Sequence, residues 1–186
     1  MRIIGGDLKG KKINYLSSSK TRPLRDFVKE SIFNVLSHSS LINVKIFNAN
    51  ILDIYSGVGS FGIECISHGA KKVTFIEQDV AAQNILSKNL QNLSILKQSI
   101  LFKKDVKSFL NAKPKMKFDI FFLDPPFSAT DYLENLVLIK KLKLYKKRHL
   151  IILHREVKKE DSYKQIIHQI LTKEYGRSKI IFGYFK

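Results

Sequence analysis

Two short stretches of this chain carry residue types and spacings that could do chemistry. The first is DIYSGVGSFG, Asp53 to Gly62, in which Gly57, Gly59 and Gly62 form a G-x-G-x-x-G pattern. Glycines in that pattern let a backbone turn approach a pyrophosphate at a helix N-terminus. Glu77 lies 20 residues beyond Gly57, the spacing at which a carboxylate reads ribose hydroxyls. S-adenosylmethionine (SAM) also carries a ribose, so the glycines admit a nicotinamide dinucleotide and SAM alike. Asp53 leans towards SAM. A carboxylate at the end of a strand would repel a pyrophosphate but favour an ammonium, and SAM has an ammonium with a sulfonium nearby. A plain strand-turn-helix with Asp53 as a cap is the third reading. Asp105 could read an adenine amino group or simply cap the helix VKSFL.

The second stretch is FDIFFLDPPF, Phe118 to Phe127. Two prolines cannot donate to a sheet ladder, so the strand stops at Leu123. Pro125 holds Asp124 in an extended conformation. The product is a stiff turn presenting a carboxylate, free carbonyls and an aromatic ring. That suits a planar substrate with an amino group: Phe127 stacks on its face, while Asp124 and the Pro125 carbonyl accept its two N–H groups.

These stretches need a scaffold. Strands are expected at 50–55, 72–77, 100–103, 118–123, 149–155, 172–175 and 179–184. Helices are expected at about 24–37, through 67, at 79–93, 106–111, 130–140 and 161–171. Alternating strands and helices predict an α/β fold with a mostly parallel seven-stranded sheet and an antiparallel C-terminal hairpin. In such sheets ligands bind beyond the carboxyl ends of the strands, where both stretches lie. Residues 1–20 read as a short hairpin around GGDLKGK. The expected division is a hairpin-helix extension over 1–40, packed on the core and contacting RNA, and a catalytic domain over 41–186.

Composition narrows the partners. The formal net charge is +17, with 33 Lys+Arg against 16 Asp+Glu, which favours a polyanion. A lysine-inflating composition bias is the bland alternative. Lys140, Lys141, Lys143, Lys146, Lys147 and Arg148 read equally as a solvated face or an RNA-facing edge. The N-terminus lacks a signal-peptide core and no run is long enough to span a membrane, so a cytoplasmic protein without a membrane partner is expected. One cysteine and five histidines (38, 68, 149, 154, 168) show no metal-ligand spacing, so no metal is expected. The histidines read as surface or packing residues.

Together, RIIGG, GKK, TRPLRDFVKESIFNVL, DIYSGVGSFGIE, IEQD and FFLDPPF resemble the bacterial 16S ribosomal RNA guanine-N2 methyltransferases of the RsmD type, which are Rossmann-like class I SAM-dependent enzymes. The likeness is strongest over 2–36, 51–79 and 118–127. It implies SAM as cofactor, with Asp53, Tyr55, Ser56, Gly57 and Gly59 at its methionine end, Glu77 and Gln78 at the ribose, and Asp105 and Val106 at the adenine. It implies that Asp124, Pro125, Pro126 and Phe127 hold the target guanine, and that Arg2, Lys9, Lys11, Lys12, Arg22, Arg25 and Lys29 contact RNA. The implied partner is 16S rRNA, within the small ribosomal subunit or an assembly intermediate, and the enzyme is expected as a monomer. The sequence departs from the family pattern after Arg22-Pro23: where the family usually has R-P-T followed by further basic residues, this chain has Leu24 and Phe27. A DNA adenine-N6 methyltransferase, a protein glutamine methyltransferase and a non-catalytic RNA-binding assembly factor are the competing readings. A dehydrogenase fits least, because it gives Asp53 and DPPF no role.

Overall fold

The computed structural model of the chain describes residues 1–15, 26–126, 128–158 and 162–186. Its strands are β1 (Asn50–Ile54), β2 (Lys72–Ile76), β3 (Ser99–Phe102), β4 (Phe118–Leu123), β5 (Tyr145–Glu156), β6 (Ile167–Tyr175) and β7 (Ser178–Phe185). Its helices are α1 (Asp26–His38), α2 (Ser60–Ser67), α3 (Val80–Asn92), α4 (Val106–Asn111) and α5 (Tyr132–Lys141). The seven strands form one sheet in the order β3-β2-β1-β4-β5-β7-β6. All pairs are parallel except those made by β7, which runs antiparallel to β5 and β6.

Side-chain alternation decides which helices lie on which face. Ile51, Ile120, Phe122, Leu150, Ile152 and Phe182 join one core with α1, α2 and α3. Leu52, Phe121, Leu123, Ile151, Leu153 and Ile181 join a second core with α4 and α5. Strands buried on both faces read as unbroken apolar runs, and IFFL in β4 and LIIL in β5 do. The chain order reverses at β1, since β2 and β3 extend to one side and β4 and β5 to the other. That switch opens a crevice at the carboxyl ends of β1 and β4.

The expected hairpin at the N-terminus is a single antiparallel bridge between Arg2 and Lys12. Ile3 and Ile13 fix it onto the same core as Val28, Ile32 and Phe33 of α1 and Phe61 of α2. Arg2, Lys9, Lys11 and Lys12 are exposed, whereas Arg22 and Arg25 lie outside the described residues. Lys29 corrects the expectation of a phosphate contact. It is wholly buried, its Nζ 3.2 Å from Glu64 Oε2, and it donates to the Arg2 carbonyl at 2.9 Å. Glu64 also accepts the Ile4 and Gly5 amides. Burial pushes the Glu64 carboxyl up, but hydrogen bonding with His68, the two amides and the Lys29 charge outweigh it and hold the group below its ordinary value. The cluster therefore ties the extension, α1 and α2 together.

A second correction concerns residues 161–171. Instead of a helix, a short 3-10 turn at Ser162–Gln165 leads into β6, which begins at Ile167. Ile166, Ile167, Ile170 and Leu171 satisfy helical spacing, but pairing with β7 from Ile167 to Tyr175 gives this backbone its partners, and tertiary pairing outweighs local preference. β5 also begins four residues before the expected His149. Its first turnings carry Lys146, Lys147 and Arg148, whose charge masks a strand.

Candidate active site

The glycine turn is fixed from below. Tyr55 and Gly57 both have positive φ, 62° and 55°, and Gly59 follows at 85°. The three glycines serve different needs. A Cβ on Gly59 would lie 2.3 Å from Leu86 Cδ1, and one on Gly62 would lie 2.3 Å from Phe75 Cε1, so both are required by packing. A Cβ on Gly57 would meet nothing within 4 Å; the space there is open. Ser56 does not face that space. Its hydroxyl donates to the Ile76 carbonyl at 2.9 Å, with the Asp53 carbonyl at 3.1 Å, and its amide donates to Ile76 as well. It pins the turn between β1 and β2. Asn89 of α3 holds the next carbonyl, Val58, at 3.1 Å and pairs in both directions with the Asn14 backbone.

Asp53, Glu77 and Asp124 lie close enough here for their charges to interact. Asp53 is 1% exposed. Its Oδ2 accepts the Gly62 amide at 3.0 Å, while its buried Oδ1 has no partner among the described residues. Burial raises its pKa well above the ordinary value; the Gly62 N–H offsets part of this, and the negative charges of Asp124 and Glu77 add to it. An unpartnered, desolvated carboxylate invites a cation. Glu77 accepts the Gly57 amide at 2.6 Å and the Asp79 amide at 2.8 Å. These bonds orient the carboxylate and leave each oxygen a further lone pair, as a ribose diol requires. Gln78 is exposed beside it. Asp105 caps α4 by accepting the Ser108 amide and hydroxyl, which hold its carboxyl below the ordinary value. The Val106 side chain is in the core, so only its backbone faces the crevice edge.

Asp124 enters from β4. The parallel register that pairs Leu123 with Leu153 sets the next residues, Asp124 and His154, side by side. His154 Nδ1 lies 2.8 Å from Asp124 Oδ1. An ionised carboxylate only accepts, so Nδ1 carries the proton. No described residue donates to Oδ2. Arg155, 1% exposed, donates to the carbonyls of Pro126 at 3.2 Å and Ala129 at 3.3 Å, with its guanidinium 4.5 Å above the Tyr132 ring. The Pro126 carbonyl also accepts the Ala129 amide. The Pro125 carbonyl is taken by no described residue. Phe127 lies outside the described residues. Tyr55, from the glycine turn, reaches across to α5: Asn135 donates to its hydroxyl at 2.9 Å, which donates to Asp131 at 3.4 Å. Burial and the Asp131 charge push the Tyr55 phenol up.

The sequence did not single out His154, Arg155, Asn89 or Asn135. The one available signal was polarity: His154-Arg155-Glu156 ends an otherwise apolar run. Among the described residues no group of His, Cys, Asp and Glu could hold a metal, and no helix is long and apolar enough to cross a membrane.

This sheet order, with an acidic residue ending β1, a glycine turn and a D-P-P turn ending β4, defines a class I methyltransferase. A solved structure of a candidate methyltransferase from Escherichia coli superposes with a TM-score of 0.85 at 28% identity, covering 100% of this chain and 98% of that one. The family model described as Conserved hypothetical protein 95 matches residues 1–184. A protein from Buchnera aphidicola subsp. Baizongia pistaciae named ribosomal RNA small subunit methyltransferase D is 31% identical over 100% of this chain and 91% of its own length. A protein of that name from Haemophilus influenzae is 40% identical over 68% of this chain and 64% of its own. The chain belongs to this family, that of the RsmD-type ribosomal RNA methyltransferases.

Proposed function

We propose that the protein transfers a methyl group from SAM to the N2 amine of a guanine in small-subunit ribosomal RNA, in the cytoplasm and as a monomer. The observation that carries the reading is the Asp124 carboxylate at the sheet's switch point, with one oxygen held by His154 and the other open beside the Pro125 carbonyl. The donor set suits SAM: the buried Asp53 oxygen for its cationic methionine end, the open face of Gly57 for backbone approach, and the oriented Glu77 carboxylate for the ribose. When bound, SAM would supply an electrophilic methyl group, its methyl–sulfur bond breaking to leave S-adenosylhomocysteine.

The residues of the chain do the rest. Guanine N2 is a weak nucleophile because its lone pair is delocalised into the ring. Asp124 Oδ2 and the Pro125 carbonyl accept its two N–H bonds, which localises the lone pair and aims it. Orientation of this kind contributes up to roughly 7–11 kcal/mol. As the new N–C bond forms, the nitrogen becomes acidic and its proton passes to Asp124. The base must be unpaired or flipped to reach this turn, with Phe127 as its stacking platform. Arg2, Lys9, Lys11 and Lys12 are exposed on the N-terminal hairpin and supply phosphate contacts, together with Arg22 and Arg25.

Transfer of tritium from methyl-labelled SAM to unmodified small ribosomal subunits tests the reading. Wild-type protein is expected to label the RNA and Asp124→Ala to leave it unlabelled. Label in protein or DNA alone would overturn it.

A further inference from the structure

The acids of this protein are unevenly spread across the sheet. Asp53, Glu77, Asp105, Asp124, Asp131 and Glu156 all lie at or just beyond the carboxyl ends of the parallel strands. The opposite edge is built from the segments 113–119 and 140–149, which enter β4 and β5. The register pairing Phe118 with Tyr145, and the Phe118 amide bonded to the Leu144 carbonyl, bring these segments together. Among the described residues the only acidic side chain in them is Asp119. It is already satisfied, bonded to Lys146 at 2.8 Å and to the Asn50 amide at 2.7 Å. Lys113, Lys115, Lys117, Lys147 and Arg148 remain exposed and have no acidic partner among the described residues.

A composition bias would scatter lysines among the acids. Here Lys103, Lys104, Lys107, Lys158 and Arg177 do stand among the acids of the carboxyl edge, whereas the exposed bases of the amino-edge segments have no free acid beside them in sequence. Like charges gathered on one edge repel, which favours an anionic partner and gives nothing to packing. The edge is also remote from the chemistry. Along β4, the six residues from Phe118, paired with Tyr145 at this edge, to Asp124 span roughly 20 Å. A phosphate held at this edge therefore belongs to a different stretch of nucleic acid from the nucleotides flanking a base at Asp124.

We infer that the amino edge of the sheet, centred on Lys115, Lys117, Lys147 and Arg148, is a second RNA-binding surface that grips the phosphate backbone of a segment remote from the methylated base. The inference rests on the proposed RNA substrate. It adds a contact that neither the N-terminal hairpin nor the catalytic crevice supplies.

Cysteine-directed crosslinking locates the contact. The chain's own Cys65 is buried and free, so single Arg148→Cys and Lys115→Cys variants take a thiol-linked photocrosslinker specifically. With small ribosomal subunits as probe, both are expected to crosslink RNA at a segment distinct from that reached by Lys9→Cys on the hairpin. In parallel, Lys115→Gln, Lys117→Gln, Lys147→Gln and Arg148→Gln combined are expected to flatten the slope of log K against log [salt] by about 3. Cofactor binding and melting temperature should not change. Crosslinks from Lys9→Cys but none from the edge, with an unaltered salt slope, would overturn this inference and leave the methyltransferase reading standing. A wild-type protein that neither binds nor labels RNA would overturn both.

Discussion

His154 offers the sharpest test of how the catalytic turn is held. Its Nδ1–H lies 2.8 Å from Asp124 Oδ1, and the side chain is mostly buried. A hydrogen bond to a charged group contributes about 1.5–3 kcal/mol. If that bond aims Asp124 at the substrate amine, its loss raises the barrier by the same amount, about 10- to 150-fold in rate. His154→Leu removes the donor and keeps the bulk. His154→Asn restores an N–H close to the position of Nδ1. The assay is single-turnover methylation of small subunits at saturating SAM, with SAM affinity and melting temperature measured alongside. His154→Leu should lose 10- to 150-fold in the methyl-transfer rate with SAM affinity unchanged, and His154→Asn should recover most of the loss. Equal impairment of both variants would show that ring packing matters and the hydrogen bond does not. A wild-type rate in His154→Leu would refute the positioning argument outright.

Three further outcomes follow from the geometry. Burial raises the Asp53 pKa in the folded protein, so the native state holds a proton that the unfolded chain has lost, and stability falls as pH rises from about 3.8 towards the folded value. Asp53→Asn should therefore raise the melting temperature near neutral pH, show no gain near pH 3.5, and abolish SAM binding by calorimetry; a lower melting temperature at neutral pH would contradict this. Lys29→Met leaves Glu64 buried without its cation, a loss of about 3–5 kcal/mol in denaturant unfolding, and should leave the salt slope of RNA binding unchanged. A reduced slope in a stable Lys29→Met protein would restore its reading as an RNA contact. Gly57→Ala places a methyl group in open space at φ 55°, costing roughly 1 kcal/mol of strain but weakening SAM binding, whereas Gly59→Ala strikes Leu86 and should show its main effect in stability.

Much of this arrangement was legible in the sequence because it is local. FDIFFL must be a buried strand, two prolines must end it, and D-x-x-x-G-x-G must turn a strand into a helix. What escaped depends on contacts between distant segments. His154 is 30 residues from Asp124, and only the parallel register of β4 with β5 brings them together. Lys29 and Glu64 each look like ordinary surface helix residues until α1 packs on α2. The bond from the Ser56 hydroxyl to the Ile76 carbonyl was likewise hidden, because that carbonyl belongs to a neighbouring strand. The segment that became β6 has apolar spacing that suits a helix or a strand, and β7 decides between them.

The measurement closest to the central claim is the identity of the methylated nucleoside. Small ribosomal subunits lacking the modification would be incubated with the protein and SAM, their RNA digested to nucleosides, and the products separated by liquid chromatography with mass detection. N2-methylguanosine is expected, absent when Asp124→Ala replaces the wild type. Methyladenosine, or N2-methylguanosine formed equally well by Asp124→Ala, would contradict it.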